Sequence, residues 1–286
     1  MPLTIKKSVL LIAGPTASGK SALAIAQAQA RGGVIINADS MQVYKELRII
    51  TARPSVEEET LVPHRLFGHV IGADDYSTAA WLAEAESEIQ VCWDGGQLPI
   101  ICGGTGLYFT ALEQGLAKLP AIEPAIREKW RNFDGDLHAE LEMRHAQSAA
   151  RLNAADRQRL IRSLEVFEST GKPLIEWQKQ AQNESILQGA NIERVFMNVQ
   201  REELYIRAEA RFDQMLEQGA LNEVDALPKL DPTQPLMKAI GVPELLAHLK
   251  GDITLDEAKI KAKTATRNFI KRQMTWFRGQ MKAWQV

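Results

Sequence analysis

The N-terminal part of the chain alternates between short apolar runs and longer amphipathic segments. Residues 9–13, 33–38 and 98–102 are apolar runs that end at or near turn-forming residues, which is typical of buried parallel strands. Residues 21–31 and 78–92 have the spacing of helices. This strand–helix–strand order predicts a doubly wound parallel sheet flanked by helices.

The middle of the chain has a different pattern. Residues 123–130, 137–150 and 156–168 all have helical spacing, and no strand-like run separates them. Residues 195–199 then predict a return to the sheet. Two further long helices are predicted over residues 202–219 and 255–279.

These patterns predict two domains. The core consists of residues 1–113 plus 195–286, and an all-helical insertion consists of residues 114–194.

Composition narrows the class of protein only modestly. The chain has 286 residues and a formal net charge of −2, so a nucleic-acid surface has to be a local patch. Cys92 and Cys102 have no metal-like spacing, and we expect a reduced, cytoplasmic compartment. We expect no secretory signal, because the short apolar run near the N-terminus leads into a glycine loop rather than a cleavage site. We expect no membrane helix, because no apolar run approaches about 18 residues.

The first chemical motif is a phosphate loop. Residues 14–21, GPTASGKS, fit the pattern G-x-x-x-x-G-K-[ST] between a predicted strand and a predicted helix. In such a loop, backbone N–H groups and the helix N-terminus surround phosphate oxygens. Lys20 is expected to reach the terminal phosphate and Ser21 to offer a hydroxyl to Mg²⁺. The motif predicts a bound diphosphate or triphosphate, with ATP as its usual ligand, without specifying which.

Two further segments follow predicted strands at the edge where ligands of open parallel sheets bind. Asp39 could accept a proton from a nucleophile there. Alternatively, Asp39 or Ser40 could cap the next helix, and the pattern alone favours neither. Residues 103–106, GGTG, occupy the corresponding place after the third strand, where an ordinary glycine turn is the alternative.

A series of short motifs runs in order along nearly the whole chain. It consists of the phosphate loop with Thr16, residues 39–44 (DSMQVY), 51–54 (TARP), 63–66 (PHRL), 76–77 (YS), 103–108 (GGTGLY) and 156–162 (DRQRLIR), then Arg207, Arg211, Met215, residues 239–241 (AIG) and 271–278 (KRQMTWFR). Together these motifs resemble the tRNA dimethylallyltransferases, also called tRNA isopentenyltransferases. The resemblance implies a P-loop NTPase-like fold with a helical insertion.

The resemblance also implies a reaction. A dimethylallyl group moves from dimethylallyl diphosphate to N6 of the adenosine that lies 3′-adjacent to the anticodon in tRNA, and diphosphate is released. The donor is then held, with Mg²⁺, by Gly14, Pro15, Thr16, Ala17, Ser18, Gly19, Lys20, Ser21 and Arg211. By the same resemblance, Asp39 takes or steers the N6 proton, Thr105 positions the reacting atoms and Lys20 stabilises the leaving group. Pattern alone favours a surface role for Arg211.

Contacts with tRNA are implied at three segments and two single residues. They are Asp39, Ser40, Met41, Gln42, Thr105, Arg127, Gln158, Arg159, Leu160, Ile161, Arg162, Lys238, Ala239, Ile240, Gly241, Val242 and Pro243. The insertion, with basic residues Arg151, Arg157, Arg159 and Arg162, is expected to contact the anticodon stem-loop.

The C-terminal segment, residues 259–286, carries eight Lys or Arg residues and no Asp or Glu. Some of these cations are expected to face RNA, whereas the aromatic residues between them belong in the core. We expect a monomer that acts on tRNA and dimethylallyl diphosphate without a membrane.

The chain departs from the family pattern at a few positions. Ile50 stands where glycine is usual, Arg53 stands where lysine is common, and Val242 and Pro243 replace a Tyr-Lys-type pair. The last change removes polar side chains and one N–H donor from that segment.

Two other functions compete with prenyl transfer. A P-loop kinase acting on a small alcohol leaves the motifs at residues 156–162 and 271–278 unexplained. A non-catalytic RNA-binding protein with a relic phosphate loop is disfavoured because Lys20, Ser21 and Asp39 are intact.

Overall fold

The computed structural model describes residues 7–74, 76–180, 185–281 and 284. The chain divides into two compact units. The core unit comprises Met1–Ala111 with Gly189–Val286, and the helical unit comprises Leu112–Gln188.

A parallel sheet forms the centre of the core unit. Within the described ranges its strands are β1 Ser8–Ala13, β2 Gly33–Asn37, β3 His64–Arg65, β4 Leu98–Gly103 and β5 Asn191–Phe196. Their order across the sheet is β3-β2-β4-β1-β5, and each neighbouring pair is parallel. Ala13 is aligned with both Gly103 and Phe196, so the carboxyl ends of three strands meet at one edge.

The predicted α/β class is confirmed, with two differences among the strands. The two-residue strand β3 was not predicted, and β5 begins at Asn191, whereas the apolar pattern placed this strand over residues 195–199. The start of β5 lacks an apolar run because every residue of this edge strand is exposed or only partly buried, so polar residues are tolerated there.

Helices follow the strands and build the rest of both units. They are α1 Lys20–Arg31, α2 Val56–Leu61, α3 Thr78–Asp94, α4 Gly106–Gln114, α5 Pro124–Arg131, α6 Leu137–Ala149, α7 Arg157–Thr170, α8 Leu174–Gln180, α9 Arg201–Glu217, α10 Ala220–Asp225, α11 Val242–Leu249 and α12 Leu255–Gln280, with a 3₁₀ turn at Leu236–Lys238. No helix in the described ranges has the length and apolar character needed to cross a bilayer.

Two tryptophans attach α3 to the sheet. The buried Trp81 donates its indole N–H to the carbonyl oxygen of Asn37 at 2.7 Å. Trp93, near the end of the same helix, donates to the carbonyl oxygen of Ser8 at 2.8 Å. Because buried indole N–H groups need an acceptor, these bonds fix α3 against the ends of β2 and β1.

The long helices α9 and α12 pack side by side in the core unit. Lys263 Nζ lies 2.7 Å from the Asp213 carboxylate, and Arg267 Nη1 lies 2.9 Å from that of Glu209. Two of the eight cations of the C-terminal segment are therefore paired within the fold, which reduces the number that can face RNA.

The helical unit has its own apolar core. Trp130, Leu137, Leu141 and Leu164 are buried together where α5, α6 and α7 pack. Helix α7 begins at the N-cap Asp156, whose carboxylate accepts the backbone N–H of Arg159.

Candidate functional site

The phosphate loop leaves β1 at Gly14 and enters α1 at Lys20. A Cβ at Gly14 would lie only 2.8 Å from that of Met197, so the loop passes too close to its neighbour for a side chain. Gly19 caps α1 in the left-handed region with φ 86°, and Ala17 shares this conformation with φ 64°. The loop therefore wraps around the helix N-terminus, as phosphate binding requires.

Two cations point into one cleft beside this loop. The Lys20 ammonium donates to the Pro15 carbonyl oxygen at 3.1 Å, and the Arg211 guanidinium donates to the Thr16 hydroxyl. Lys20, Thr16 and Arg211 all line the cleft together with Asp39. Within the described part of the chain, neither cation is hydrogen-bonded to a carboxylate. The cleft therefore has positive charge available for an anionic ligand.

In the ligand-free protein, burial disfavours the charged forms of Lys20 and Arg211. It lowers the pKa of Lys20, and the nearby Asp39 carboxylate only partly opposes this effect. Burial likewise lowers the pKa of Arg211, again opposed in part by Asp39. A bound polyanion would reverse the cost, because opposite charge favours the protonated form.

Asp39 is held by its own loop rather than by the cations. Its backbone N–H donates to Asn37 Oδ1 at 2.8 Å, and Asn37 Nδ2 returns a bond to the Asp39 carbonyl oxygen at 2.9 Å. One carboxylate oxygen accepts the Met41 N–H at 2.9 Å. Asn37 is fully buried, and sequence reasoning missed it; the only signal was an amide at the end of an apolar strand.

Thr105 supports this loop from the next strand. Its hydroxyl accepts the Ser40 N–H at 2.9 Å and donates to the Ser40 hydroxyl at 3.3 Å. Gly103 makes the approach possible, since a Cβ there would lie 2.1 Å from the backbone of Ala38. Thr105 thus contacts the Asp39 loop directly.

The remaining walls of the cleft are partly apolar. Its further lining residues are Ser21, Ala24, Ile35, Gln42, Thr51, Ala52, Pro54, His64, Phe67, Cys102 and Gly103. Gln42 donates its amide to the carbonyl oxygens of Thr51 and Ala52, both at 2.9 Å, which joins two of these segments. Burial lowers the pKa of His64, so this imidazole adds no charge near neutral pH. Cations and apolar walls in one cleft suit a ligand with a phosphate head and a short hydrocarbon.

A carboxylate outside the cleft holds the segment that leads into Thr51. Glu223 accepts the backbone N–H groups of Arg48, Ile49 and Ile50 at 2.8 to 2.9 Å. The Ile50 side chain is buried against Gly241, where a Cβ would lie 2.7 Å from it. Isoleucine at this position, where glycine is usual in the resembled family, therefore serves as a packing residue.

Arg53, the second departure, has a clear structural setting. Its guanidinium donates to the Tyr44 carbonyl oxygen at 3.1 Å. The guanidinium also lies where a side chain at Gly68 would be, because a Cβ there would approach Arg53 Nη1 to 1.6 Å. Gly68, with φ 56°, is thus needed for this contact.

The predicted tRNA residues of the core unit differ in exposure. Ser40, Met41, Gln42 and Ile240 are partly buried, Lys238 and Pro243 are exposed, and Ala239, Gly241 and Val242 are buried. The side chains of Ala239 and Val242 fill an apolar cluster. Pro243 occupies the first turn of α11, where its missing N–H costs no helical hydrogen bond.

The predicted tRNA residues of the helical unit lie on α5 and on the first turns of α7. Gln158 and Arg159 are exposed, Arg127, Ile161 and Arg162 are partly buried, and Leu160 is buried in the apolar core. Arg159 pairs with Asp156 at 3.2 Å, and Arg162 lies 3.4 Å from the buried Glu165. The guanidinium of Arg157 donates to the carbonyl oxygens of Arg131 and Phe133.

Comparison with known proteins identifies the family. The sequence profile of the IPP transferases matches residues 42–280, and that of the isopentenyl transferases matches residues 7–67. The chain belongs to the IPP transferase family. The resemblance drawn from the motifs is confirmed.

Relatives of this family member are similar over nearly its whole length. A tRNA dimethylallyltransferase of Azorhizobium caulinodans is 49% identical over 98% of this chain and 92% of its own. A solved structure of a eukaryotic dimethylallyltransferase acting on tRNA has a TM-score of 0.79 and 30% identity, covering 95% of this chain and 70% of that one. A solved tRNA isopentenylpyrophosphate transferase of Bacillus halodurans has a TM-score of 0.67 and 31% identity, covering 96% and 88%.

Proposed function

We propose that the protein transfers the dimethylallyl group of dimethylallyl diphosphate to N6 of the adenosine 3′-adjacent to the anticodon in tRNA and releases diphosphate. The observation that carries this proposal is the cleft in which Lys20, Arg211 and Asp39 meet beside an apolar wall. A kinase reaction would need an anion site as well, but the full-length relationship to IPP transferases favours a prenyl donor.

The residues of the cleft suit the bond changes of this transfer. As the bond between C1 and the diphosphate oxygen breaks, negative charge gathers on the leaving diphosphate, where Lys20, Arg211 and the loop N–H groups can stabilise it. A bond forms between N6 and C1, and the N6 proton passes to the carboxylate of Asp39. The adenine must leave the anticodon-loop stack to reach this cleft.

Magnesium is part of the proposal because the residues present suit it. Among the described residues, no group of three His, Cys, Asp or Glu side chains could hold a metal ion on its own. Mg²⁺ commonly binds through one or two protein oxygens together with substrate phosphates. Ser21, exposed at the start of α1, offers one such hydroxyl beside the phosphate loop. When bound, the ion would neutralise charge on the diphosphate.

We further propose that the helical unit contacts the anticodon stem-loop through the start of α7. Arg159 is the best candidate for this contact, because its side chain is 70% exposed and its ion pair is with Asp156, a residue that is itself partly exposed. Leu160 has an internal role, as its side chain is buried. The exposed side chains of Gln158 and Arg159, rather than that of Leu160, would therefore contact the RNA.

Reversing the charge of Arg159 is expected to weaken tRNA binding about tenfold near physiological salt and to lower the salt slope of log Kd by about one. Glutamate at this third helical position is compatible with α7, because the macrodipole favours an acidic first turn. Lys179→Glu makes the same change in net charge on α8 and is the matched control. Filter binding at several salt concentrations gives both numbers. Equal slopes for Arg159→Glu and wild type would remove this surface from the proposal.

The reaction itself is tested with radiolabelled dimethylallyl diphosphate and unmodified tRNA, in Mg²⁺ and without ATP. We expect label in the RNA, and no label in the same tRNA carrying guanosine in place of the target adenosine. Unlabelled RNA combined with tRNA-independent ATP turnover would instead support a small-molecule kinase.

A further inference from the structure

One side chain of α12 contacts two loops beside the cleft, the phosphate loop and the loop that follows β4. Gln273 is only 6% exposed. Its amide oxygen accepts the backbone N–H of Thr16 in the phosphate loop at 2.9 Å, and its amide N–H donates to the carbonyl oxygen of Gly104 at 2.9 Å. The amide therefore joins the loop after β1 to the loop after β4.

Two glycines allow this close approach of the helix. A Cβ at Gly104 would lie 2.5 Å from Gln273 Nε2 and 3.3 Å from the Gly14 carbonyl oxygen. A Cβ at Gly106 would lie 2.1 Å from the ring of Trp276, one turn further along α12. The glycines of the GGTG segment therefore have two roles: they form the turn after β4, and they leave room for the side chains of α12.

The two loops that Gln273 joins carry the two halves of the proposed chemistry. Thr16 donates its backbone N–H to Gln273, and its hydroxyl accepts a hydrogen bond from the Arg211 guanidinium. Both groups belong to the part of the cleft proposed to bind the diphosphate. Gly104 precedes Thr105, which holds the Asp39 loop through Ser40. A shift of either loop would change the distance between the leaving group and the base.

We propose that Gln273 is a positioning residue that sets the separation between the diphosphate-binding loop and the loop carrying the proton acceptor. This inference rests on the proposed prenyl transfer. A glutamine suits the task because one planar amide supplies both the acceptor and the donor that the two backbone groups require. Because the Gln273 side chain is buried, this role is separate from direct tRNA binding.

The first test replaces Gln273 by methionine, which has a similar length but offers neither bond. We expect kcat to fall roughly 10- to 100-fold, the scale that small misplacements of reacting groups produce. The Kd for tRNA should stay within about threefold of wild type. Ala262→Gly, at a buried position of the same helix away from both loops, is the control for simple destabilisation. Assays are run well below the Tm of each variant.

The second test uses Gln273→Glu and does not depend on the first variant folding well. A protonated glutamic acid can accept from Thr16 N–H and donate to the Gly104 carbonyl, as the amide does. An ionised carboxylate cannot donate. The ratio of variant to wild-type kcat should therefore rise as the pH falls through the pKa of the introduced carboxyl.

The combined results distinguish failure of the Gln273 positioning role from failure of the proposed prenyl transfer. Transfer by wild type with a reduced, pH-rescued Gln273→Glu variant supports the positioning role. Transfer by wild type with a flat ratio, or a Gln273→Met kcat within threefold of Ala262→Gly, overturns it. Absence of transfer by wild type overturns the proposed function, and the positioning role with it.

Discussion

Replacing Asp39 by asparagine is expected to lower kcat for prenyl transfer roughly 10²- to 10⁴-fold, the usual contribution of a general base. Asparagine retains an oxygen that can accept the Met41 N–H, and the two backbone bonds to Asn37 do not involve the changed group. The loop should therefore keep its conformation. What the variant loses is the ability to take the N6 proton.

Single-turnover transfer with tRNA and donor both in excess over their Kd values measures this step. Asp39→Ala adds the loss of the Met41 contact and is expected to be the slower variant. A kcat for Asp39→Asn within threefold of wild type would assign the proton to another acceptor.

Part of the fold could be predicted from the local sequence pattern, because strands that are buried on both faces require apolar residues at nearly every position. Strands β1, β2 and β4 are buried along nearly their whole length, so each is a continuous apolar run. The edge strands lack this signature. β3 consists of a histidine and an arginine, and β5 begins with polar residues, so only pairing with their neighbours identifies them.

The candidate site divides in the same way. Lys20 and Ser21 could be predicted because backbone geometry requires the phosphate-loop spacing within eight consecutive residues. Arg211 was suggested by family resemblance alone, since its contact with Thr16 spans 195 residues. Gln273 lies 257 residues from Thr16, and nothing near it in sequence marks it as a partner of the phosphate loop.

Exchanging Lys20 for methionine should affect stability and binding in opposite directions. Burial lowers the pKa of Lys20, so the charged amine opposes folding of the ligand-free protein. Because the folded pKa lies below the unfolded one, the unfolded chain holds more protons between the two values, and stability rises with pH across that window. Below that window the amine is charged in both states, and the penalty is fully present. Methionine removes it, and we expect Tm of the free protein to rise by roughly 2–4 °C, which corresponds to about 1 kcal/mol.

The same substitution should weaken dimethylallyl diphosphate binding by roughly 10- to 100-fold, because a charged hydrogen bond to the ligand is lost. In wild type, the diphosphate favours the protonated amine, so binding takes up a proton and affinity falls as pH rises through the lowered pKa. Thermal shifts with and without the donor at neutral and alkaline pH measure both effects, with the exposed Lys250→Met as control. A Lys20→Met protein that is less stable than wild type, yet binds the donor with the same pH dependence, would mean that Lys20 is a structural cation rather than the charge reserved for the leaving diphosphate.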